Sequence, residues 1–495
     1  MQWRISETEL SKRHDRLCEA LRARELAGAY LTQPLSVFYL TGFFMVSTER
    51  PAGLVVPLKG DAGFVGPRLE EHHARAGGGR ISLVRTYFDY PGRKHPMEAI
   101  ADFLREMGMG KGRIGTDNPA GYESRWGYAG PKLADLLPRA EFVAFDDYLR
   151  QQRKVKSEEE IALLRESCRW ADAALSKLVE RTSPGVWDVE ASLEATLEAT
   201  GEMKRTLGEA YRQSVFGDAP ASAGFRGQVG PESAIPHTFA TNRRIQKGDV
   251  LGSGASAEVG GYHCELERTL ILGKASGEQA EAFEVMLRAQ EAAIGALRPG
   301  APCAAADEAA YDVFEKAGLA DRTLHHTGHG LGLDFHEPPF LDAGEEEILK
   351  PGMVFAVEPG IYLPGFAGFR HSDTVLITET GAERLTRFPR DLASCTIPAR
   401  GGKRKRKKAG KKKTAGKGKA EGRKKAGKGG SAKGRKKTAG RGKAEGRKKA
   451  GGGKKQRRKK TAGKAKKGRK KKAGKGRKKG GKKKSAGRGR ATAKR

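Results

Sequence analysis

The sequence changes abruptly near residue 400, and this change limits what the chain can fold into. Residues 401–495 contain no Leu, Ile, Val, Phe, Tyr or Trp. A segment without large apolar side chains cannot bury enough surface to offset the entropy that it would lose on folding. The segment also repeats itself, since K-A-E-G-R-K-K-A-G begins at both Lys419 and Lys443. We therefore predict a disordered Lys/Arg/Gly/Ala-rich tail over residues 399–495.

The tail is also the source of the chain's basic character. Residues 401–495 contain 48 Lys and Arg against 2 acidic residues, whereas the preceding part of the chain has a net charge of −10. Clustered cations bind polyanions by releasing counterions, with strong salt dependence and little sequence preference. The pattern resembles histone-like basic tails. It predicts that residues 402–495 bind nucleic acid or another polyanion, which would place the protein at the nucleoid; the alternative is a solubilising extension.

The remaining length is sufficient for two domains. Residues 1–153 alternate apolar runs with Gly/Pro turns, as a small α/β domain does. Residues 154–398 form a second unit, rich in short strands in its later part.

Five widely spaced cysteines without a C-x-x-C pair are typical of a reduced, cytoplasmic protein. The sequence shows neither a signal-peptide core nor an apolar run of about 18 residues, so no membrane contact is expected.

Local patterns predict the start of each domain. Ser6 and Glu9 have the spacing of a capping box before an apolar pattern of helical period, which predicts a first helix. A short strand is predicted at residues 29–31. Ser157 and Glu160 repeat the capping-box spacing, and this second predicted helix begins just after the domain boundary.

Two histidines lie in a glycine-rich segment of the second domain. His329 stands within G-H-G-L-G at residues 328–332, and His336 follows seven residues later. Small neighbours allow the backbone and a ligand to come close to the ring. A structural turn with a hydrogen-bonded histidine would give the same pattern.

Carboxylates accompany two predicted strands. The alternation in Leu266–Leu272 places Glu265 and Glu267 on one face of the first strand. Residues 353–358 are apolar and end in Glu358, and a carboxylate that closes a buried strand is a frequent place for a site. Alternatively, the first strand is a solvated edge strand, and the carboxylate at the end of the second has no functional role.

Six motifs follow one another in the second domain. In chain order they are P-H at residues 236–237, T-N-R-R-I-Q-K-G-D-V-L, G-Y-x-x-E-x-E-R-T, G-H-G-L-G-L-x-F-H-E-P-P, P-G-M-V-F-A-V-E-P-G and G-F-R-H-S-D-T-V-L-I-T. This order resembles the creatinase/prolidase/aminopeptidase P family, and P-L-S-V-F-Y-L-T-G-F at residues 34–43 resembles its N-terminal domain. The resemblance implies an α/β (α+β) pita-bread catalytic domain behind a smaller creatinase-like N-terminal domain, usually as a homodimer.

The resemblance also implies a metal-ligand set, which this sequence matches only in part. Metal-dependent members use Asp, Asp, His, Glu and Glu. The matching positions here are Ser253, Glu265, His329, Glu358 and Ser372. Because divalent ions in such sites depend on several carboxylates to offset their dehydration, a two-metal centre is not expected. The sequence predicts no cofactor, or alternatively one weakly held Mn, Co or Zn ion on the remaining three ligands.

Creatinase, a member of the same family, cleaves a C–N bond without metal. Its L-E-R-T strand carries a site glutamate that is matched by Glu267, and its catalytic histidine and second glutamate are matched by His237 and Glu358. The resemblance makes His237 the candidate general acid/base, since the ordinary histidine pKa of about 6.5 is near working pH. The two glutamates would hold and polarise the substrate, and one of them is expected to have a raised pKa if both are buried.

Further contacts to the substrate follow from the same resemblance. His329 and His336 would orient it or stabilise an oxyanion, with His336 counted among the catalytic residues. Arg370 is predicted to bind substrate or, with Asp373, to support the site from behind. His371, next to a lost ligand position, is predicted to enter the site.

Three functions remain open from the sequence. The first is a hydrolase that cleaves a C–N bond in a peptide or small nitrogenous substrate. The second is a catalytically inactive pita-bread binding module whose basic tail binds nucleic acid. The third is an Xaa-Pro peptidase with a reduced metal site. The first is favoured because a scaffold has no evident need for the retained residues, which are His237, Glu267, His329, His336 and Glu358.

Deletion of residues 402–495 should abolish retention on a DNA column at low salt and leave catalysis unchanged, because the deletion removes the clustered cations. A tail of scrambled order and identical composition is the control and should be retained like the natural tail. Retention of the truncated protein at low salt would contradict the prediction.

Overall fold

The computed structural model describes residues 3–77, 79–89, 94–119, 130–213 and 219–399. The predicted tail lies outside the described residues from position 400 onward, so its disorder stays a prediction. None of the helices within these ranges is long and apolar enough to cross a membrane. All five cysteines are free and buried.

The N-terminal part of the chain alternates helices with short strands. Its elements are α1 (Glu7–Ala23), β1 (Gly28–Leu31), α2 (Pro34–Thr41), β2 (Gly53–Pro57), β3 (Ala62–Pro67), α3 (Glu71–Gly77), β4 (Ile81–Tyr87), α4 (Pro96–Glu106), β5 (Gly112–Thr116), α5 (Leu133–Leu136), β6 (Ala140–Ala144) and α6 (Asp146–Lys154). The strands form one mixed sheet in the order β4-β3-β2-β1-β5-β6.

The second part contains longer helices and several small sheets. Its elements are α7 (Glu158–Arg181), α8 (Asp188–Leu207), β7 (Ala221–Gly224), β8 (Val250–Val259), β9 (Tyr262–His263), β10 (Leu266–Leu272), α9 (Gly277–Ala296), α10 (Ala304–Lys316), β11 (Gly328–Gly330), β12 (Glu337–Leu341), β13 (Val354–Val357), β14 (Gly360–Leu363), β15 (Ala367–Arg370), β16 (Asp373–Thr378), β17 (Gly381–Arg384) and β18 (Thr396–Ile397). One sheet has the order β18-β10-β8-β7, a second the order β12-β11-β13-β16-β17, and β14 pairs with β15.

The two larger sheets of the second part are joined beside the predicted carboxylates. Glu267 N donates to Ser372 O at 2.9 Å, and Ser372 N donates to Glu267 O at 3.0 Å. This pair of hydrogen bonds connects β10 to the residue just before β16. Side chains from both sheets are therefore brought to one place.

The predicted helix starts are present, with one difference. Ser157 and Glu160 form the reciprocal capping box at α7. At α1 the Ser6 hydroxyl accepts from Glu9 N, but the Ser6 backbone N–H donates to Glu159 at 2.8 Å instead of returning to Glu9. The second half of the α1 cap is thus supplied by the other domain.

A buried arginine fixes the two domains to each other. Arg13 on α1 is 1% exposed, and its Nη2 lies 3.2 Å from Glu160 Oε2 on α7. Tyr262 OH donates to the other oxygen of Glu160 at 2.8 Å, and Arg13 Nη1 donates to Tyr39 O at 2.9 Å. Because a buried charge that loses its partner is costly, this cluster holds α1 in one position against α7.

A second buried ion pair lies beneath the junction of the sheets. Arg268 Nη2 donates to Asp373 Oδ1 at 2.8 Å, and both side chains are 0% exposed. Asp373 also accepts from Thr386 Oγ1 at 2.6 Å and from Gln290 Nε2 at 3.0 Å. Asp373 is therefore the buried partner of Arg268, and its support of the site from behind stays a prediction.

Asp373→Asn should lower the free energy of unfolding by about 3–5 kcal/mol, because it leaves the buried charge of Arg268 without its partner. Glu383→Gln breaks the exposed pair of Arg165 and Glu383 on the neighbouring β17 and should cost less than about 1 kcal/mol. Urea denaturation of both variants provides the measurement. An equal decrease in the free energy of unfolding in the two variants would contradict the assignment of Asp373 as the partner of a buried charge.

Candidate active site

Strand β10 brings two carboxylates to one face of its sheet. Glu265 immediately precedes the strand and Glu267 lies within it, two residues apart as the alternation predicted. Glu267 is 4% exposed and faces Gly254, its direct antiparallel partner on β8. On the neighbouring strand β8, the same face of the sheet is therefore occupied by glycine.

Ser253 does not belong to this face. It pairs with Arg268, and its hydroxyl donates to Arg268 O at 2.8 Å. Successive residues of a strand point to opposite faces, so Ser253 lies on the face opposite to Glu267. The sequence match that put Ser253 at the first aspartate's position was therefore wrong in register. The β8 residues on the site face are Gly252 and Gly254, and neither can supply a ligand from a side chain.

Ser372 acts on the site through Glu265. Its hydroxyl donates to Glu265 Oε1 at 2.9 Å, and the residue is fully buried. Glu265 N in turn donates to Thr374 Oγ1 at 3.0 Å. The position of the last metal-binding glutamate in the resemblance thus holds a serine that fixes the orientation of another carboxylate.

His329 is the buried centre of the cluster. It lies on β11, is 0% exposed, and its Nδ1–H donates to Gly330 O at 3.0 Å. Its Nε2 lies 3.4 Å from Glu358 Oε1 and 3.8 Å from Glu265 Oε2, yet makes no hydrogen bond within the described part of the chain. The imidazole of His336 stacks on that of His329, with ring centres 3.8 Å apart and planes 13° from parallel.

The loop that carries His336 is held by two cations near the domain boundary, one in helix α6 and one just after it. Glu337 is 4% exposed and pairs with Arg153, while Lys156 Nζ lies 3.6 Å from its Oε2. Glu337 Oε1 also accepts from Asp334 N at 2.9 Å. These contacts fix the backbone on both sides of His336.

Crowding shifts the pKa values of the cluster in different directions. Burial, together with the charges of Glu358 and Glu267, raises the pKa of Glu265 to about 7. Burial alone would lower the pKa of His329. The negative charges of Glu358 and Glu265 have the larger effect and raise this pKa to about 8. Burial alone would raise the pKa of Glu358. The interactions with His329 and Arg370 have the larger effect and lower this pKa to about 2. The raised pKa is thus that of Glu265, and the pKa of Glu358, one of the two glutamates for which a raised pKa was predicted, is lowered.

Two arginines bind Glu267, one on each oxygen. Arg370 pairs through Nε with Oε2, and the same Nε lies 3.6 Å from Glu358 Oε2. Arg226 pairs through Nη2 with Oε1. Arg226 belongs to the turn after β7 and to none of the six motifs, so sequence reasoning missed it. The F-R-G-Q turn next to the P-H motif was the available signal.

A tyrosine that the sequence analysis also missed completes this side. Tyr362 OH lies 2.8 Å from His325 Nε2 and accepts from Arg370 Nη1 at 3.3 Å. Burial raises the pKa of Tyr362 to about 12. The hydroxyl therefore stays protonated at neutral pH and helps to hold Arg370 in place.

His237 is not brought into the cluster. It lies exposed on the segment 235–242, and no hydrogen bond or ion pair links its side chain to another described residue. The base of this segment is fixed, since Gln228 Nε2 donates to Pro236 O at 3.1 Å and to Ile235 O at 3.3 Å. Gln228 and Glu267 line the same small cavity.

His371 points away from the site, contrary to prediction. The residue is fully buried; its Nδ1 accepts from Thr269 N at 3.2 Å and its Nε2–H donates to Arg390 O at 3.0 Å. Its ring packs edge-on against Phe283 in the core. Burial, followed by the charge of Arg268, lowers its pKa to about 3. His371 is a neutral structural residue because the extended backbone alternates its side chains between the site and the core.

The donor atoms match one divalent cation better than two. Glu265, His329 and His336 have ligand atoms within 4.8 Å of one another, as do Glu265, Glu267 and Glu358. The Nε2 of His329 and the nearest oxygens of Glu265 and Glu358 converge on one point, which is a suitable place for one ion. A second ion would need Glu267, which two guanidinium groups already neutralise.

Two family models match the chain. The family model for metallopeptidase family M24 matches residues 162–379, and the model for the creatinase/prolidase N-terminal domain matches residues 13–155. The predicted two-domain pita-bread fold is confirmed. The domain limits 1–153 and 154–398 stay predictions.

Curated relatives match between half and three quarters of the chain. The Xaa-Pro dipeptidase of Pyrococcus furiosus is 35% identical over 254 residues, 51% of this chain and 68% of that protein. The probable dipeptidase PepE of Mycobacterium bovis is 32% identical over 370 residues, 74% of this chain and 92% of that protein.

Solved structures show the same similarity. The dipeptidase PepE of Mycobacterium ulcerans is 29% identical with a TM-score of 0.66, covering 80% of this chain and 100% of that one. The prolidase of Pyrococcus horikoshii is 26% identical with a TM-score of 0.62, covering 77% and 99%. The chain therefore belongs to metallopeptidase family M24, and it is a peptidase-type C–N hydrolase with that family's creatinase/prolidase N-terminal domain.

Proposed function

We propose that the protein hydrolyses the peptide bond before proline in a short peptide such as an Xaa-Pro dipeptide. Relatives named Xaa-Pro dipeptidase and prolidase support this substrate class. The observation that carries the proposal is the buried Nε2 of His329, which faces Glu265 and Glu358 without a hydrogen bond. Nε2 lies 3.4 Å from Glu358 Oε1 and 3.8 Å from Glu265 Oε2, and a bound cation would replace the imidazolium proton as the partner of both carboxylates.

We propose that this ligand is a single divalent ion, Mn, Co or Zn, held by Glu265, His329 and Glu358. The sequence favoured a site without any cofactor, whereas the convergence of one histidine nitrogen and two carboxylates favours the alternative that the sequence left open. A bound ion of this kind supplies Lewis-acid polarisation of a carbonyl and a lower pKa for a coordinated water.

The surrounding residues leave one oxygen of each carboxylate available. Ser372 occupies Glu265 Oε1, so that Oε2 faces His329. Arg370 lies beside Glu358 Oε2, so that Oε1 faces the same histidine. The ligands are thus pre-oriented by the protein, which lowers the cost of ordering them when they bind.

His237 and His336 are the proposed substrate-facing histidines. His336 stacks on His329 at the exposed edge of the cluster, where a peptide would enter. His237, on the exposed segment fixed by Gln228, would move a proton between water and the leaving proline nitrogen. Glu267 and Arg370 would hold the peptide in place.

Two further proposals concern partners. The family resemblance supports a homodimer. The charge of residues 402–495 supports binding of nucleic acid or another polyanion, and hence association with the nucleoid.

Protein purified without chelator and dialysed against excess Mn, Co or Zn should hold one ion per chain and hydrolyse an Xaa-Pro dipeptide. His329→Ala should reduce bound metal to less than about a tenth of an equivalent, because it removes the only nitrogen ligand among the proposed three. Metal content by mass spectrometry and release of free proline are the two measurements.

The outcomes separate the three functions left open by the sequence. Hydrolysis without bound metal would replace the proposal with metal-free chemistry of the creatinase type. Metal binding without hydrolysis of any peptide or small nitrogenous substrate would favour the inactive binding module.

His237→Ala should lower kcat by about 100-fold or more, the usual contribution of a general acid/base, with little change in bound metal. His72→Ala removes another exposed histidine, on α3 of the N-terminal domain, and is the matched control. Near-normal turnover by His237→Ala would rule out its role in proton transfer.

A further inference from the structure

Glu267 is a buried carboxylate that the proposed ion does not use. It lies within 4.8 Å of ligand atoms of Glu265 and Glu358, a spacing that would suit a second cation. Both of its oxygens are instead paired with arginines, Oε2 with Arg370 and Oε1 with Arg226. The charge of a second ion is thus already present in the chain.

Gly254 provides the space for one of these arginines. It lies directly opposite Glu267 and does not have a left-handed φ. A Cβ atom there would have its nearest neighbour, Glu267 Oε1, at 3.4 Å, an ordinary contact, so the backbone does not demand glycine. Arg226 Cζ lies 3.5 Å from the same Cβ position. Any longer side chain at 254 would have to share this space with the guanidinium group.

Arg226 itself is held in an uncommon backbone conformation. Its φ is 52°, in the left-handed region that few non-glycine residues adopt. Such positions cost roughly 1–3 kcal/mol and occur mainly at functional sites. Although 54% of its side chain is exposed, the guanidinium group turns inward to a carboxylate that is almost fully buried. The turn therefore presents an arginine to the site at some cost in backbone energy.

We propose that Arg226 is a fixed cation that takes the place of a second divalent ion at Glu267 and limits the site to one ion. The inference builds on the single ion of the proposed function. Arginine stays charged at any working pH, so the neutralisation of Glu267 Oε1 is permanent. A divalent ion at this carboxylate would have to displace the guanidinium group and would be repelled by it.

The test is the number of Mn²⁺ ions bound per chain, measured by mass spectrometry and by calorimetric titration of the full-length protein. The double variant Arg226→Ala/Gly254→Asp removes the cation and adds a carboxylate in the space that it leaves. It should bind one more ion per chain than the wild type. Arg226→Ala alone should show a second, weaker binding event in the titration that the wild type lacks.

Two controls accompany the variants. Arg226→Lys keeps a positive charge at the turn and should retain the wild-type number of ions. Arg205→Ala removes an exposed arginine on α8 and should behave like the wild type. Thermal unfolding shows whether each variant is folded. If the double variant does not fold, the number of ions bound by Arg226→Ala decides whether Arg226 excludes a second ion.

Two bound ions in the wild type would overturn the proposal. So would an unchanged number of ions in a folded double variant together with the absence of a second binding event in folded Arg226→Ala. Absence of Xaa-Pro hydrolysis alongside the expected ion counts would refute the proposed function and leave the role of Arg226 intact.

Discussion

Mutual repulsion among three buried carboxylates is the constraint on which the rest of the site depends. Glu265, Glu267 and Glu358 come from strands of two sheets and would destabilise the junction if all were charged and unpaired. Each is compensated differently: Glu358 by His329, Glu267 by two arginines, and Glu265 by a serine hydroxyl and a raised pKa. The hydrogen bonds between Glu267 and Ser372 keep the two sheets in the register that this compensation requires.

Local sequence patterns predicted what depends on neighbours in the chain. The capped helix starts, the strand 266–272 and the shared face of Glu265 and Glu267 are of this kind, and the ordered motifs identified the fold. Errors arose where the answer depends on strand pairing. Ser253 was predicted to lie in the site, but its pairing with Arg268 places it on the opposite face of the sheet. His371 was predicted to enter the site, but side chains alternate along the extended backbone and its ring points into the core.

Contacts between distant residues were beyond the sequence for the same reason. Arg226 reaches Glu267 from a turn 41 residues earlier, and no motif marks it. The His336 loop is held by Arg153, 184 residues away from Glu337. Such pairs become visible only when the sheets are assembled, because their spacing in the chain carries no periodic signal. Helix α6 at the end of the N-terminal domain is thus part of the support of the site.

The arginine at Glu267 differs from a metal ion in one respect that matters for the whole enzyme. A metal ion is exchanged with the surroundings, and a dinuclear centre loses both ions when the supply fails. Arg226 is part of the chain, so its charge is not lost in this way. With one ion as proposed, Glu267 would keep a counter-charge that does not depend on the metal supply.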